Sequence, residues 1–133
     1  MTSPIEFADA LWRGEEHHPF GATGTVEIDP RTFFVASFGN SIALKTGAGA
    51  VVVDTGSPFT AASIRDSYRE WSDTPVEKIV YTHGHIDHVM GADVIGSADT
   101  QVIGHENVPA RFDRYRLTAG YNAAINRRQF GVD

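Results

Sequence analysis

The chain has 133 residues, 41% of them apolar, with a formal net charge of −6. This length predicts one domain, the charge argues against broad electrostatic binding to nucleic acid, and no apolar run approaches the length of a membrane span. The lack of cysteine excludes a disulfide framework and a thiolate metal site. With no basic segment leading into an apolar run near Met1, the expectation is a soluble, cytoplasmic protein.

Residues 1–24 show no period and read as an N-terminal arm. His17 and His18 read as exposed there, because Pro19 breaks any helix and neighbouring side chains on a strand point apart. From Thr25 the pattern is strand-like, with β-branched and aromatic residues throughout. Strands over Thr25–Asp29, Thr32–Phe38, Ser41–Thr46 and Ala50–Asp54 are separated by turn residues at Pro30, Gly39-Asn40 and Gly47-Ala48-Gly49. This spacing predicts a β-meander.

Val51-Val52-Val53 is apolar on both faces, as in a strand buried between layers, and it stops at Asp54-Thr55-Gly56. A carboxylate at the end of a buried strand needs partners. Asp54 either forms a turn and caps the next helix or orients a ligand or the following loop through hydrogen bonds. Ser57 as N-cap and Pro58 at the first helical position predict a helix start. Ala61, Ile64, Tyr68 and Trp71 then share one face of that helix and read as core. Val76–Tyr81 is the following strand.

Directly after it, Thr82-His83-Gly84-His85-Ile86-Asp87-His88 packs three imidazoles and a carboxylate into six residues. His83 and His85, two apart, project to the same side of an extended backbone, and Asp87 and His88 follow where the chain turns into a helix. Neutral imidazole and carboxylate donors suit zinc, with iron or manganese as alternatives. Gly84 is expected to let the backbone fold between the two ligands.

Val89–Ile95 predicts a short helix in which Gly91 allows close approach. Gln101–Gly104 reads as a buried strand and Val108–Leu117 as a helix with Phe112 and Tyr115 or Val108 inward. His105 and Glu106 stand at a strand end, where either could face the loop or belong to a polar turn. From Glu106 onward the chain carries +2, against −8 for residues 1–105. Arg127 and Arg128 belong to this basic tail, which reads as a solvated face or as a patch attracting an anionic substrate. Residues 119–131 show no finished element. Strand and helix alternation after a meander predicts an α/β domain with its ligands at strand ends.

The loop matches the His-x-His-x-Asp-His signature, and together with Val53-Asp54-Thr55-Gly56 the chain resembles metallo-β-lactamase-fold hydrolases. Asn126-Arg127-Arg128-Gln129-Phe130-Gly131 resembles a segment of their alkylsulfatase-like branch, which hydrolyses sulfate esters. The resemblance implies two divalent metals, with His83 and His85 on the first and Asp87 and His88 on the second. It also implies Asp87 as a catalytic proton acceptor and Asp54 as support. It covers one half of an αββα sandwich. The missing half would supply further ligands, so the expected partners are an anionic or ester substrate and either a complementary half or a second copy. Lactonase, thioesterase or β-lactamase-like hydrolysis, and a non-catalytic metal-binding or assembly module, are the alternative readings.

Overall fold

The computed structural model describes residues 5–6, 9–10, 13, 15 and 23–130, without the side chains of residues 129 and 130. Six strands follow one another in spatial order as in sequence: β1 (Gly24–Asp29), β2 (Thr32–Ala36), β3 (Ser41–Lys45), β4 (Ala50–Val53), β5 (Val76–Val80) and β6 (Gln101–Ile103). The first four form the expected antiparallel meander. β4, β5 and β6 are parallel, because each crossover carries helix. Helix α1 (Ala61–Trp71) links β4 to β5, while α2 (Ile86–Val89) and α3 (Ala92–Ile95) link β5 to β6. Helices α4 (Val108–Leu117) and α5 (Ala119–Phe130) close the chain.

The core lies on one face of the sheet. Phe33, Ala43, Val52 and Ile79 stand opposite one another across β2 to β5 and bury against Ile64, Tyr68 and Ile95 from α1 and α3. Trp71 is only half-buried, stacked on Phe33 at 5.0 Å, with Glu27 accepting its indole N–H at 3.0 Å. Ile64, Val52 and Ile79 have no exposed surface, which for each is worth about 1.5–3 kcal/mol of transfer free energy.

Among the described residues the opposite face has no such cover. Register aligns Val26, Phe34, Ile42, Val53, Val80 and Ile103 along it, and none of them is buried. Val51-Val52-Val53 therefore has one buried side, at Val52, instead of the two that its apolar run suggests. The β6 strand likewise is exposed at all three residues, not buried.

Three local expectations change. The helix starts at Ala61, since Ser57–Thr60 forms a turn closed by Ser57 N–H donating to Thr60 Oγ1 at 2.9 Å. The stretch after His88 splits into two short helices at Gly91. Residues 119–130 are helical although no apolar stripe announces it. In the arm, residues 5–6 and 9–10 are helical, whereas His17 and His18 lie outside the described residues. Among the described residues no helix is long and apolar enough to cross a membrane.

Candidate metal centre

The site forms at the carboxyl ends of the parallel strands β4, β5 and β6, where strands stop and loops face the same end of the sheet. Asp54 ends β4 in a left-handed conformation, φ 58°, which Asp tolerates better than most residues. The strain is held from below. Tyr68 of α1 donates to Ser41 Oγ at 2.6 Å, and Ser41 donates to the Asp54 carbonyl at 2.5 Å. Burial pushes the Tyr68 hydroxyl well above its ordinary pKa, so it stays a donor.

The Asp54 carboxylate, 5% exposed, then faces the loop. Oδ1 accepts the Thr82 N–H at 2.8 Å, and Oδ2 accepts the Thr82 hydroxyl at 2.6 Å and lies 2.8 Å from His88 Nδ1. The Asp54 carboxylate thus hydrogen-bonds the loop at both Thr82 and His88. Thr55 completes the clamp: its N–H and hydroxyl both donate to the His88 carbonyl, at 2.7 and 3.0 Å, and its oxygen accepts the Gly91 N–H. Gly91 approaches this β4–α1 segment so closely that a Cβ would strike the Thr55 carbonyl.

The four histidine and carboxylate groups fall into two pairs. His83 Nε2 is 3.0 Å from His85 Nδ1, and His88 Nε2 is 3.4 Å from Asp87 Oδ2. Two ligands at 2.0–2.2 Å from one tetrahedral ion lie about 3.3–3.6 Å apart, so the Asp87–His88 pair has the bite of a chelate, whereas His83 and His85 stand at hydrogen-bond distance and would open slightly to share an ion. The remaining nitrogens of His83 and His88 are oriented elsewhere: His83 Nδ1 meets Thr82 Oγ1 at 2.9 Å and His88 Nδ1 meets Asp54. Fixing one ring nitrogen leaves the other for a metal. Ligand atoms of Asp54, His83 and His88 also lie within 4.8 Å of one another. Of these three residues, Asp54 already receives three donors, which suits a brace better than a ligand.

His85 has its pKa lowered, first by partial desolvation and then by His83 and Arg111, which favours the neutral ring that ligation requires. Gly84 does not take a left-handed turn. Its missing side chain leaves room for Arg111 of α4, whose Cβ would be 3.1 Å from an added Cβ. The nearby Gly39 differs, with φ 79° and a Cβ position that overlaps the Asp87 backbone carbonyl. Gly39→Ala is expected to cost about 1–3 kcal/mol; urea unfolding showing less than about 0.5 kcal/mol would contradict this packing.

His105 lines a cavity of about 400 Å³ beside His83 and His85, together with Asn107 and Arg111, and its Nδ1 accepts the Asn107 N–H at 3.1 Å. Glu106 is exposed in the turn before α4 and does not line this cavity. Arg127 and Arg128 are exposed on α5, likewise away from the cavity lining. The arginine at the loop is Arg111, 2.7 Å from His85, which sequence spacing did not single out.

The family model described as the metallo-beta-lactamase superfamily matches residues 35–129. The chain belongs to the metallo-β-lactamase superfamily. Its similarity to alkylsulfatases holds by sequence and by structure. It is 34% identical over 64 residues to a linear primary-alkylsulfatase of Pseudomonas sp., covering 47% of this chain and 12% of that protein. A double mutant of a sec-alkyl sulfatase superposes with TM-score 0.59 at 26% identity, over 66% of this chain and 16% of that one. The chain is also 38% identical over 69 residues to the 2,4-dinitroanisole O-demethylase subunit alpha of Nocardioides sp., covering 50% of this chain and 21% of that protein. A metallo-β-lactamase of Cronobacter sakazakii shares the fold, with TM-score 0.61 and 20% identity over 71% of this chain and 38% of that one. The chain thus spans about a fifth of one of these curated relatives and about an eighth of the other. The superfamily fold implies divalent metal binding, and the loop offers a site for it.

Proposed function

We propose that the chain carries the metal-binding half of a metallohydrolase that attacks an ester, with a sulfate ester as substrate. The observation that carries this reading is the convergence of three imidazoles and the Asp87 carboxylate on one loop braced by Asp54. His83 with His85 would hold one ion and Asp87 with His88 a second, with zinc favoured by the donor set and iron or manganese compatible with it. Such ions supply Lewis acidity, lowering the pKa of water toward neutrality and polarising the ester.

The protein's own groups do the rest. Asp54 and Thr82 keep the imidazoles oriented. Asp87, about one quarter exposed, would accept a proton at its carboxylate. Each pair supplies two ligands where a catalytic zinc usually has about three. The remaining ligands would come from further chain, a complementary polypeptide or a second copy seated on the sheet face that the described residues leave open, an apolar surface of the kind that soluble monomers cover.

Turnover by zinc-loaded protein tests the reading. Alkyl sulfates, a lactone, a thioester, a phosphoester and an aryl methyl ether would be compared over a range of protein concentrations. Alkyl sulfate is expected to react fastest, with specific activity rising with concentration if a second copy completes the site. Tight zinc binding with no turnover of any compound would favour a metal-binding assembly module instead.

A further inference from the structure

Arg111 lies in the first half of α4 and reaches back to the loop. Its Nη2 is 2.7 Å from His85 Nε2, and its guanidinium carbon is 5.3 Å from the Tyr115 ring centre. A guanidinium only donates and keeps its charge in proteins. His85 Nε2 is therefore the acceptor, and the ring proton sits on Nδ1, facing His83 Nε2 at 3.0 Å. This contact is incompatible with His85 as a ligand through either nitrogen. Ligation through Nε2 takes the lone pair that Arg111 uses. Ligation through Nδ1 moves the ring proton to Nε2, opposite a group that can only donate.

We propose that Arg111 is a two-position residue, which holds His85 until that ring ligates an ion and then turns its donors into the adjacent cavity to bind the anionic group of the substrate. The proposal rests on the metallohydrolase reading and adds to it the residue that selects an anionic ester. The cavity suits this role: it adjoins His83 and His85, it holds about 400 Å³, and no carboxylate is among its lining residues. The guanidinium fork matches the paired oxygens of sulfate, phosphate or carboxylate. A cation beside the ions is unfavourable to them, and an anion on Arg111 offsets that repulsion. Metal and anion must then strengthen each other's binding, by thermodynamic reciprocity.

Zinc affinity of the full chain, measured by competition with a chromophoric chelator, tests this with inorganic sulfate against chloride at matched ionic strength. Sulfate is expected to tighten zinc binding by about fivefold or more. Arg111→Met, which keeps the apolar stem, is expected to bind zinc more tightly than the wild type in chloride and to gain nothing from sulfate. An equal sulfate response in both proteins overturns the proposal. So does the absence of any sulfate effect on the wild type, whether or not the variant folds. If His83→Ala with His85→Ala leaves zinc affinity unchanged, the metallohydrolase reading itself fails and takes the proposal with it. Zinc binding that depends on both histidines but ignores Arg111 overturns the proposal alone.

Discussion

Replacing Asp54 with asparagine is expected to weaken zinc binding by about 10–100-fold while the fold survives. Asparagine tolerates the left-handed backbone at this position nearly as well as aspartate, so the Tyr68–Ser41–Asp54 carbonyl chain is kept. What changes is the acceptor count. The carboxylate serves three donors, two from Thr82 and one from His88, whereas the amide has one oxygen and an NH₂ group. If the amide oxygen keeps the Thr82 N–H, the NH₂ faces His88 Nδ1. The ring relaxes by reversing its tautomer, which puts a proton on Nε2, the nitrogen paired with Asp87 Oδ2 at 3.4 Å. A protonated Nε2 cannot ligate. The stability cost should be about 1–3 kcal/mol, the usual penalty for an unmet buried partner. Zinc titration and urea unfolding on the same variant separate the two effects. Full zinc affinity in a folded Asp54→Asn protein would contradict the bracing role.

The parts of this molecule that sequence reveals are those written in local chemistry. Asp29-Pro30, Gly39-Asn40 and Gly47-Ala48-Gly49 mark the meander because each turn has its own residue requirements, and the strands between them fall where expected to within two residues. Val108–Leu117 is a helix with the bounds its pattern predicts. The loop and Asp54 are legible because a cluster of imidazoles, and a carboxylate ending an apolar strand, both demand partners.

What stayed hidden is set by tertiary neighbours. Arg111 follows β6 by eight residues and meets His85 only because β6 lies beside β5, an adjacency that spacing along the chain does not encode. Gly84 looked like a turn residue, yet its role is room for the Arg111 stem. Val51 and Val53 look like core, but which face the helices cover is decided by the handedness of the β4–α1–β5 crossover, not by the strand itself. Helix α5 has Gly120 in its first turn and exposed Tyr121 and Ile125, so no period betrayed it.

The second large effect belongs to the loop itself. His83→Ala with His85→Ala removes the two imidazoles whose nitrogens stand 3.0 Å apart and leaves Asp87 with His88. Neither position is buried, so the fold should persist, since surface substitutions usually change stability by less than about 0.5 kcal/mol. Water cannot replace the two lost imidazoles without costing most of the affinity of a site that starts with two protein ligands. Metal per folded chain, measured by inductively coupled plasma mass spectrometry after equilibration with limiting zinc, is therefore expected to fall by about half or more in the double variant. An unchanged metal content in a folded double variant would contradict the assignment of Thr82–His88 as the metal loop.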